Sequence, residues 1–183
     1  VFASRQTQIA ATKESQPLLS KALPVSIEAE RAVLAALLLN DENLTLVADF
    51  LRVEDFSLKT HQLIYQALLE IAQNNQKIDL LVLKNYFENR QQLDEINGIG
   101  YLVELQEDIP AIGLVQQHAK IVKDKATLRS LIGAASDIIG TCYDQNMSEI
   151  DAVLDQAEQK IFQLVHKITP PTFVPLNTIL KKT

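Results

Sequence analysis

The chain has few of the residues on which disulfides, tight turns and many ligand sites depend. It contains one cysteine, one methionine, five glycines and no tryptophan. The lone Cys142 excludes an internal disulfide framework and suits a reducing compartment, so we expect a cytoplasmic protein. The sequence has no apolar run long enough to span a membrane, and its first residues lack the apolar core of a secretory signal.

The scarcity of glycine also bears on nucleotide binding. A phosphate-binding loop requires Gly-x-x-x-x-Gly-Lys followed by Ser or Thr, and none of the five glycines precedes a lysine. The chain therefore cannot hold ATP by that device, and we expect no cofactor in it. The net charge of −6 argues mildly against a nucleic-acid-binding surface, which usually concentrates Lys and Arg, so direct contact with nucleic acid is not expected.

Catalytic and metal-binding groups are also poorly represented. His61, His118 and His166 have no metal-ligand spacing to acids or to the cysteine, so we expect surface or boundary histidines, with His118 packed and hydrogen-bonded. Cys142 has no flanking histidine and acid, which favours a small core residue over a nucleophile. Adjacent acids such as Glu54 and Asp55 are expected to be solvated. We assign no catalytic residue and no metal ligand, and an all-α hydrolase or metalloenzyme is the least favoured hypothesis.

The residues that are abundant, Leu, Ile, Ala, Gln and Glu, favour an all-α fold. We predict a flexible tail over 1–23, a small helical globular head over 24–110 and a long protruding antiparallel helical hairpin over 111–168. A Pro-rich linker and the start of a further helix follow over 169–183. In the head, helices are predicted to follow caps at Ser26, Ser57 and Asp79, with shorter helices over 44–51 and 101–106 and a turn at 97–100.

The hairpin prediction depends on apolar residues that recur at alternating steps of four and three, which is typical of helices that lie along one another. We call this row the stripe. Its members in the first arm are Leu114, His118, Ile121, Lys125, Leu128, Ile132, Ala135, Ile139 and Cys142, and in the second arm Ile150, Leu154, Ala157, Ile161, Leu164 and Ile168. Each arm is expected to bury its stripe against the other. Apolar residues off the stripe, among them Val122, Leu131, Ile138, Val153 and Val165, then exceed what one hairpin can cover, so a partner is implied.

Two further features of the first arm leave alternatives open. Lys120, Lys123, Lys125 and Arg129 form a basic cluster, either a contact for phosphate or an acidic partner or, as we favour, a solvated flank paired with Asp124. The small residues 133–136 allow close helix approach, either inside the hairpin or between subunits.

An ordered set of short motifs over about 24–167 resembles the N-terminal domain of the bacterial replicative DNA helicase DnaB. The motifs are Ser26 to Glu30 with Val33-Leu34; Asp55-Phe56 with His61 and Ile64; Ile78-Asp79 with Leu83; Leu93, Gly98, Tyr101-Leu102 and Leu105; Pro110; Ala119 to Val122; Leu128-Arg129; Leu154-Asp155 with Ala157-Glu158; and Ile161-Phe162. The sequence departs from the family at Ala35-Ala36 and Asn97-Gly98, where paired glycines are frequent, and at His118, where Tyr is usual.

This resemblance implies a non-catalytic assembly and docking domain. In the family the hairpins pair into dimers, three dimers form the collar of a hexameric ring, and the collar docks the primase C-terminal domain and influences helicase loading. We take Ile121, Leu128, Ile132, Ala135, Ile139, Leu154, Ala157, Ile161 and Leu164 as candidates for the hairpin and dimer interface. Leu176, Ile179 and Leu180 would begin the linker helix to an ATP- and Mg-dependent 5'-3' helicase motor that the sequence does not include. The alternative is a stand-alone helical adaptor or dimerisation module.

Overall fold

The computed structural model describes residues 21–107, 114–144 and 150–168. These residues form helices and contain no strand, which confirms the all-α prediction. The helices are α1 (Ile27–Leu39), α2 (Asn43–Val47), α3 (Lys59–Gln73), α4 (Leu80–Asn89), α5 (Gly98–Glu107), α6 (Val115–Asp144) and α7 (Ile150–Ile168), with 3-10 turns at Val53–Asp55 and Asp94–Ile96. Outside the described residues lie residues 1–20 of the predicted tail, the hairpin turn with its cap at Ser148, and the linker residues Leu176, Ile179 and Leu180.

Helix α1 lies at the centre of the head. Apart from its ends it is buried nearly all round, because apolar residues follow one another without a polar face from Val33 to Leu38. Helices α2, α3, α5 and α6 all contact it. The core therefore forms around α1, and α3 adds one apolar face with Ile64, Leu68 and Ile71 at its centre.

The helix starts follow the predicted signals in part. Asp79 caps α4 as expected, since its Oδ1 accepts a hydrogen bond from the backbone N–H of Val82 at 2.7 Å. Ser26 makes no such bond at the start of α1. Ser57 is not the cap of α3, which begins after Leu58, and its buried hydroxyl has no hydrogen-bond partner among the described residues. The backbone N–H of Ser57 instead donates to Glu30 Oε1 at 2.8 Å, which ties this loop to α1.

The turn before α5 is formed as predicted, although the helix begins earlier than expected. Asn97 and Gly98 both have positive φ, of 61° and 76°. This left-handed geometry suits asparagine and glycine better than other residues. Helix α5 starts at Gly98 itself, before the predicted start at residue 101.

A buried polar network joins α1, α3 and α5. His61 is fully buried, which corrects the prediction of a surface or boundary histidine. Its Nδ1 lies 2.6 Å from Glu30 Oε2 and its Nε2 lies 2.5 Å from the Tyr101 hydroxyl. Burial raises the pKa of Glu30, but the hydrogen bonds from His61 and from the backbone N–H of Ser57, together with the charge of His61, lower it by more than burial raises it. The pKa of Glu30 therefore lies below its ordinary value.

We predict that His61→Ala strongly destabilises the head. The substitution removes the partner of a buried carboxylate and leaves a cavity, and breaking a buried pair costs roughly 3–5 kcal/mol. Urea unfolding followed by circular dichroism would measure the loss. The control is His166→Ala on the exposed surface of α7, which should change the free energy of unfolding by less than about 0.5 kcal/mol. Equal effects of the two substitutions would contradict a structural role for the network.

The lowered pKa of Glu30 predicts a pH dependence. A carboxyl whose pKa is lower in the folded than in the unfolded state adds stability above its unfolded value, near 4.5, and loses it as pH falls through the folded value. The stability difference between the wild type and Glu30→Gln should therefore be largest above pH 4.5 and shrink below it. Urea midpoints of both proteins across that range test this, and a difference independent of pH would refute it.

Candidate interaction surface

Helix α6 packs on the head with one of its faces. Val115, Ala119, Val122 and Ala126 repeat at the four-three spacing and are all buried at 5% exposure or less. Three of them belong to the same core cluster as α1 and α3. The small alanines allow α6 to approach α1 closely, so the base of the hairpin is part of the head core.

A second face of α6 meets α7. Ile138 and Thr141 of α6 and Val153, Gln156, Ala157 and Lys160 of α7 line one narrow crevice between the helices. Lys160 Nζ bonds to Asp137 Oδ2 at 3.3 Å across the pair. Nearer the head, Leu164 lies in a crevice with Thr127 and Ser130. Late residues of α7 thus face early residues of α6, and the two helices form an antiparallel hairpin.

The stripe occupies the remaining face of α6, and most of its members on this helix are exposed. Ile121, Leu128, Ile132 and Ile139 are between 41% and 45% exposed, and Ala135 is exposed with them. On α7, Leu154 is 62% and Ile161 51% exposed, whereas Ala157 and Leu164 are half-buried against α6.

The expectation that the two stripes bury each other inside the hairpin is therefore wrong. The reason is a second four-three row, which begins at Val115 and lies one residue later along α6 than the stripe. That row has smaller side chains and fits against α1. Ile138 and Val153 are predicted to lie on apolar surface that the hairpin leaves uncovered, but they line the contact between the helices instead. The four-three spacing of apolar residues correctly predicted helices. It could not show which of two adjacent rows on the same helix packs against the head.

Two expectations about small residues on α6 also change. Cys142 is exposed and is not a core residue. A Cβ added at Gly133 or at Gly140 would have no atom within 4 Å, so at these glycines α6 makes no close crossing with α7. Of the two alternatives for residues 133–136, the crossing inside the hairpin therefore has no support at Gly133, and the crossing between subunits stays a prediction.

The basic cluster of α6 contributes to the junction between hairpin and head. Lys123 Nζ lies 2.9 Å and 3.2 Å from the two carboxylate oxygens of Asp55, which is buried. Arg129 donates to the backbone carbonyl oxygens of Asp55 at 2.5 Å and of Pro24 at 3.1 Å. The expectations of a solvated Asp55 and of a solvated basic flank are wrong for these residues, because they pair with groups distant in sequence.

Within the described ranges no group of three or more His, Cys, Asp or Glu is arranged to hold a metal ion. His118 is half-buried as expected, but within the part of the chain that the structure describes its buried Nδ1 has no hydrogen-bond partner. No helix in the described part of the chain is long and apolar enough to cross a membrane. The exposed stripe is therefore the surface feature on which a function can be argued.

The sequence matches a known protein family and several curated proteins. A family model described as the DnaB-like helicase N terminal domain matches residues 22–124. The replicative DNA helicase DnaB of Geobacillus stearothermophilus is 36% identical over 160 residues, which cover 87% of this chain and 35% of that protein. The DnaB of Pasteurella multocida is 33% identical over 162 residues, with the same coverage of both chains. The chain thus spans about a third of the length of these curated relatives.

Solved structures agree with the sequence matches. The crystal structure of the N-terminal domain of DnaB helicase from Mycobacterium tuberculosis superposes with a TM-score of 0.73 at 28% identity, covering 78% of this chain and 99% of that one. A DnaB-like replicative helicase, described with its interactions with primase, has a TM-score of 0.61 and 22% identity, covers 86% of this chain and 34% of that one, and shows the shared fold. Because the family model covers more than half of the sequence and these matches agree with it, the chain belongs to the DnaB-like helicase N-terminal domain family.

Proposed function

We propose that this chain is the non-catalytic assembly and docking domain of a hexameric replicative DNA helicase, and that its hairpins pair to form dimers. The observation that carries the proposal is the exposed stripe of α6, together with membership of a helicase family. Three dimers would then form the collar of the ring. Monomeric soluble proteins rarely expose a large contiguous apolar patch, which favours a partner on this surface.

The stripes of the two arms are suited to a common partner. Successive residues turn by about 100° in an α-helix, and the two arms run in opposite directions. With the head and α7 occupying the other faces of α6, we infer that the exposed residues of α6 and α7 turn toward the same side of the hairpin, away from the head. Ile121, Ile132 and Ile139 would then form one surface with Leu154 and Ile161.

The size of that surface favours a second copy of the hairpin. Fully burying an isoleucine or leucine side chain contributes roughly 1.5–3 kcal/mol. A symmetric dimer would bury the same residues twice, once on each copy. The five side chains are 41–62% exposed in the single chain, so each would contribute about half of that value. Counted on both copies, their burial would offset much of the cost of association, which is roughly 4–15 kcal/mol.

The other parts of the proposal depend on the family. We expect the collar to dock the primase C-terminal domain and a helicase loader, and the similarity in fold to a helicase described with its interactions with primase supports the first of these. Leu176, Ile179 and Leu180 would lead to a motor domain, and ATP and Mg would bind there and not in this chain. We expect no direct contact with nucleic acid, and the site of action would be the cytoplasm.

The alternative is a stand-alone helical adaptor, and the gene discriminates the two. We expect the reading frame in the source genome to continue past Thr183 into a domain with a phosphate-binding loop of the form Gly-x-x-x-x-Gly-Lys-Ser/Thr. A stop codon directly after Thr183 would favour the adaptor.

We predict that Ile132→Asp weakens self-association at least tenfold. Ile132 is 42% exposed in the single chain, so an aspartate there leaves the fold intact, but it would place a charge in the dimer contact, where burying an unpaired charge is costly. Sedimentation velocity across a range of concentrations would measure the shift, and circular dichroism would verify that the helix content is unchanged.

The matched control is Leu81→Asp on α4, where the leucine is 64% exposed on the head. It introduces the same charge into another exposed apolar position of a helix, away from the hairpin. The control should associate like the wild type. Two outcomes would contradict the assignment of the stripe to the dimer interface. One is an equal weakening of self-association by both substitutions. The other is a protein that associates as a dimer and is unaffected by Ile132→Asp.

A further inference from the structure

A crevice of about 350 Å³ lies between α3 and α4 on the surface of the head. Its floor is apolar and includes Ile71, which is buried, and Val82, which is half-buried. Four exposed side chains that end in a carboxamide line it, namely Asn74, Gln76, Asn85 and Asn89. None of these four carboxamides forms a hydrogen bond with another described residue. The crevice therefore presents uncommitted hydrogen-bond donors and acceptors above an apolar floor.

The turn after α3 holds two of the carboxamides in place. Asn75 has a left-handed φ of 55°, and the backbone N–H of Gln76 donates to the carbonyl oxygen of Ile71 at 3.2 Å. This is the pattern with which many helices end at a left-handed residue. Asn74 and Gln76 flank that residue, so the backbone that carries both side chains has a fixed geometry.

The charged group at the edge of the crevice is already paired. The Arg90 guanidinium lies 3.7 Å from the centre of the Tyr86 ring and donates to Glu70 Oε2 at 3.0 Å. The Tyr86 hydroxyl donates to the same oxygen at 2.7 Å, and burial together with this bond raises the pKa of Tyr86 to about 12. Among the described residues that line the crevice, Arg90 is the one charged side chain. An anionic ligand such as a phosphate would therefore find no unpaired cation here.

The spacing of the carboxamides on α4 matches an extended polypeptide. Asn85 and Asn89 are four residues apart, which is about 6 Å along a helix. Two residues of an extended chain span about 6.6 Å, and alternate residues point to the same side. A carboxamide has both an N–H donor and a C=O acceptor, as a peptide unit does. The two asparagines can therefore bond to successive peptide units on one side of an extended chain.

We propose that this crevice binds an extended, uncharged segment of a partner protein through the main chain of that segment. Main-chain hydrogen bonds would supply affinity, and alternate apolar side chains would enter the floor beside Ile71 and Val82. A sugar is another uncharged ligand, but it would need an open aromatic face, and Arg90 covers one face of Tyr86. The crevice is formed by helices of the head, so this binding is independent of the stripe on the hairpin.

Peptide selection tests the proposal. Phage-displayed random twelve-residue peptides would be selected on the wild-type 183-residue chain, and the affinity of a synthetic selected peptide would be measured by fluorescence anisotropy. We expect selected peptides with uncharged residues and an apolar residue at every second position. Asn85→Ala with Asn89→Ala should weaken binding about tenfold, because both hydrogen-bonding groups are lost. Alanine favours the helix, so this variant should keep its fold and associate like the wild type.

The matched control is Gln116→Ala with Gln117→Ala, which removes two exposed carboxamides from α6. It should bind the peptide like the wild type. N-methylation of the peptide tests recognition of the main chain, since it removes one N–H donor and leaves the side chains unchanged. Methylation at alternate positions that face α4 should weaken binding about tenfold, and methylation at the positions between them should have little effect.

Four results would overturn the proposal. They are a selection that enriches no peptide, an equal loss of binding in the control, an affinity that is insensitive to N-methylation, and displacement of the selected peptide by a synthetic peptide of residues 1–20. The last result would assign the crevice to a segment of this chain instead of a partner protein. Each of them would leave self-association through the stripe, and hence the proposed function, unaffected.

Discussion

Helix α6 packs against two neighbours, the head and α7, with two different faces. The rest of the structure depends on this arrangement. One row, from Val115 to Ala126, completes the core of the head. Another, which includes Ile138 and Thr141, packs against α7. A helix that uses two faces in this way leaves a third to solvent, and a solvent-facing row in a monomer is normally polar. Here the third row carries isoleucine and leucine, which is the physical basis for assigning it to a partner.

The charged contacts at the base of the hairpin determine where that third row points. Lys123 forms an ion pair with Asp55, and Arg129 donates hydrogen bonds to the backbone carbonyls of Asp55 and Pro24. These contacts join α6 to the loop before α3 and to the segment before α1. Beyond Arg129 the helix makes few buried contacts and becomes exposed. The junction therefore sets the direction in which the stripe is presented. Assembly in this family would require that direction to be the same in every copy.

Local signals predicted the helices well, and tertiary choices were less accessible. The Asp79 cap, the Asn97-Gly98 turn and the long final helices depend on neighbours in sequence and could be found there. The burial of His61 depends on Glu30, and that of Asp55 on Lys123, partners separated by 31 and 68 residues. No periodicity encodes such pairs. The exposure of Cys142 and of the stripe was missed for a related reason: adjacent four-three rows on one helix have the same period, and only the contact with α1 decides between them.

The central claim is that the exposed stripe exists for a second copy of the chain. The most direct measurement is the molar mass of the 183-residue protein in solution, by light scattering across concentrations up to the high micromolar range. The chain has a mass of 20.4 kDa. The account predicts a mass that rises with concentration to that of a dimer or a multiple of it. A protein that stays at the mass of one chain throughout would contradict it.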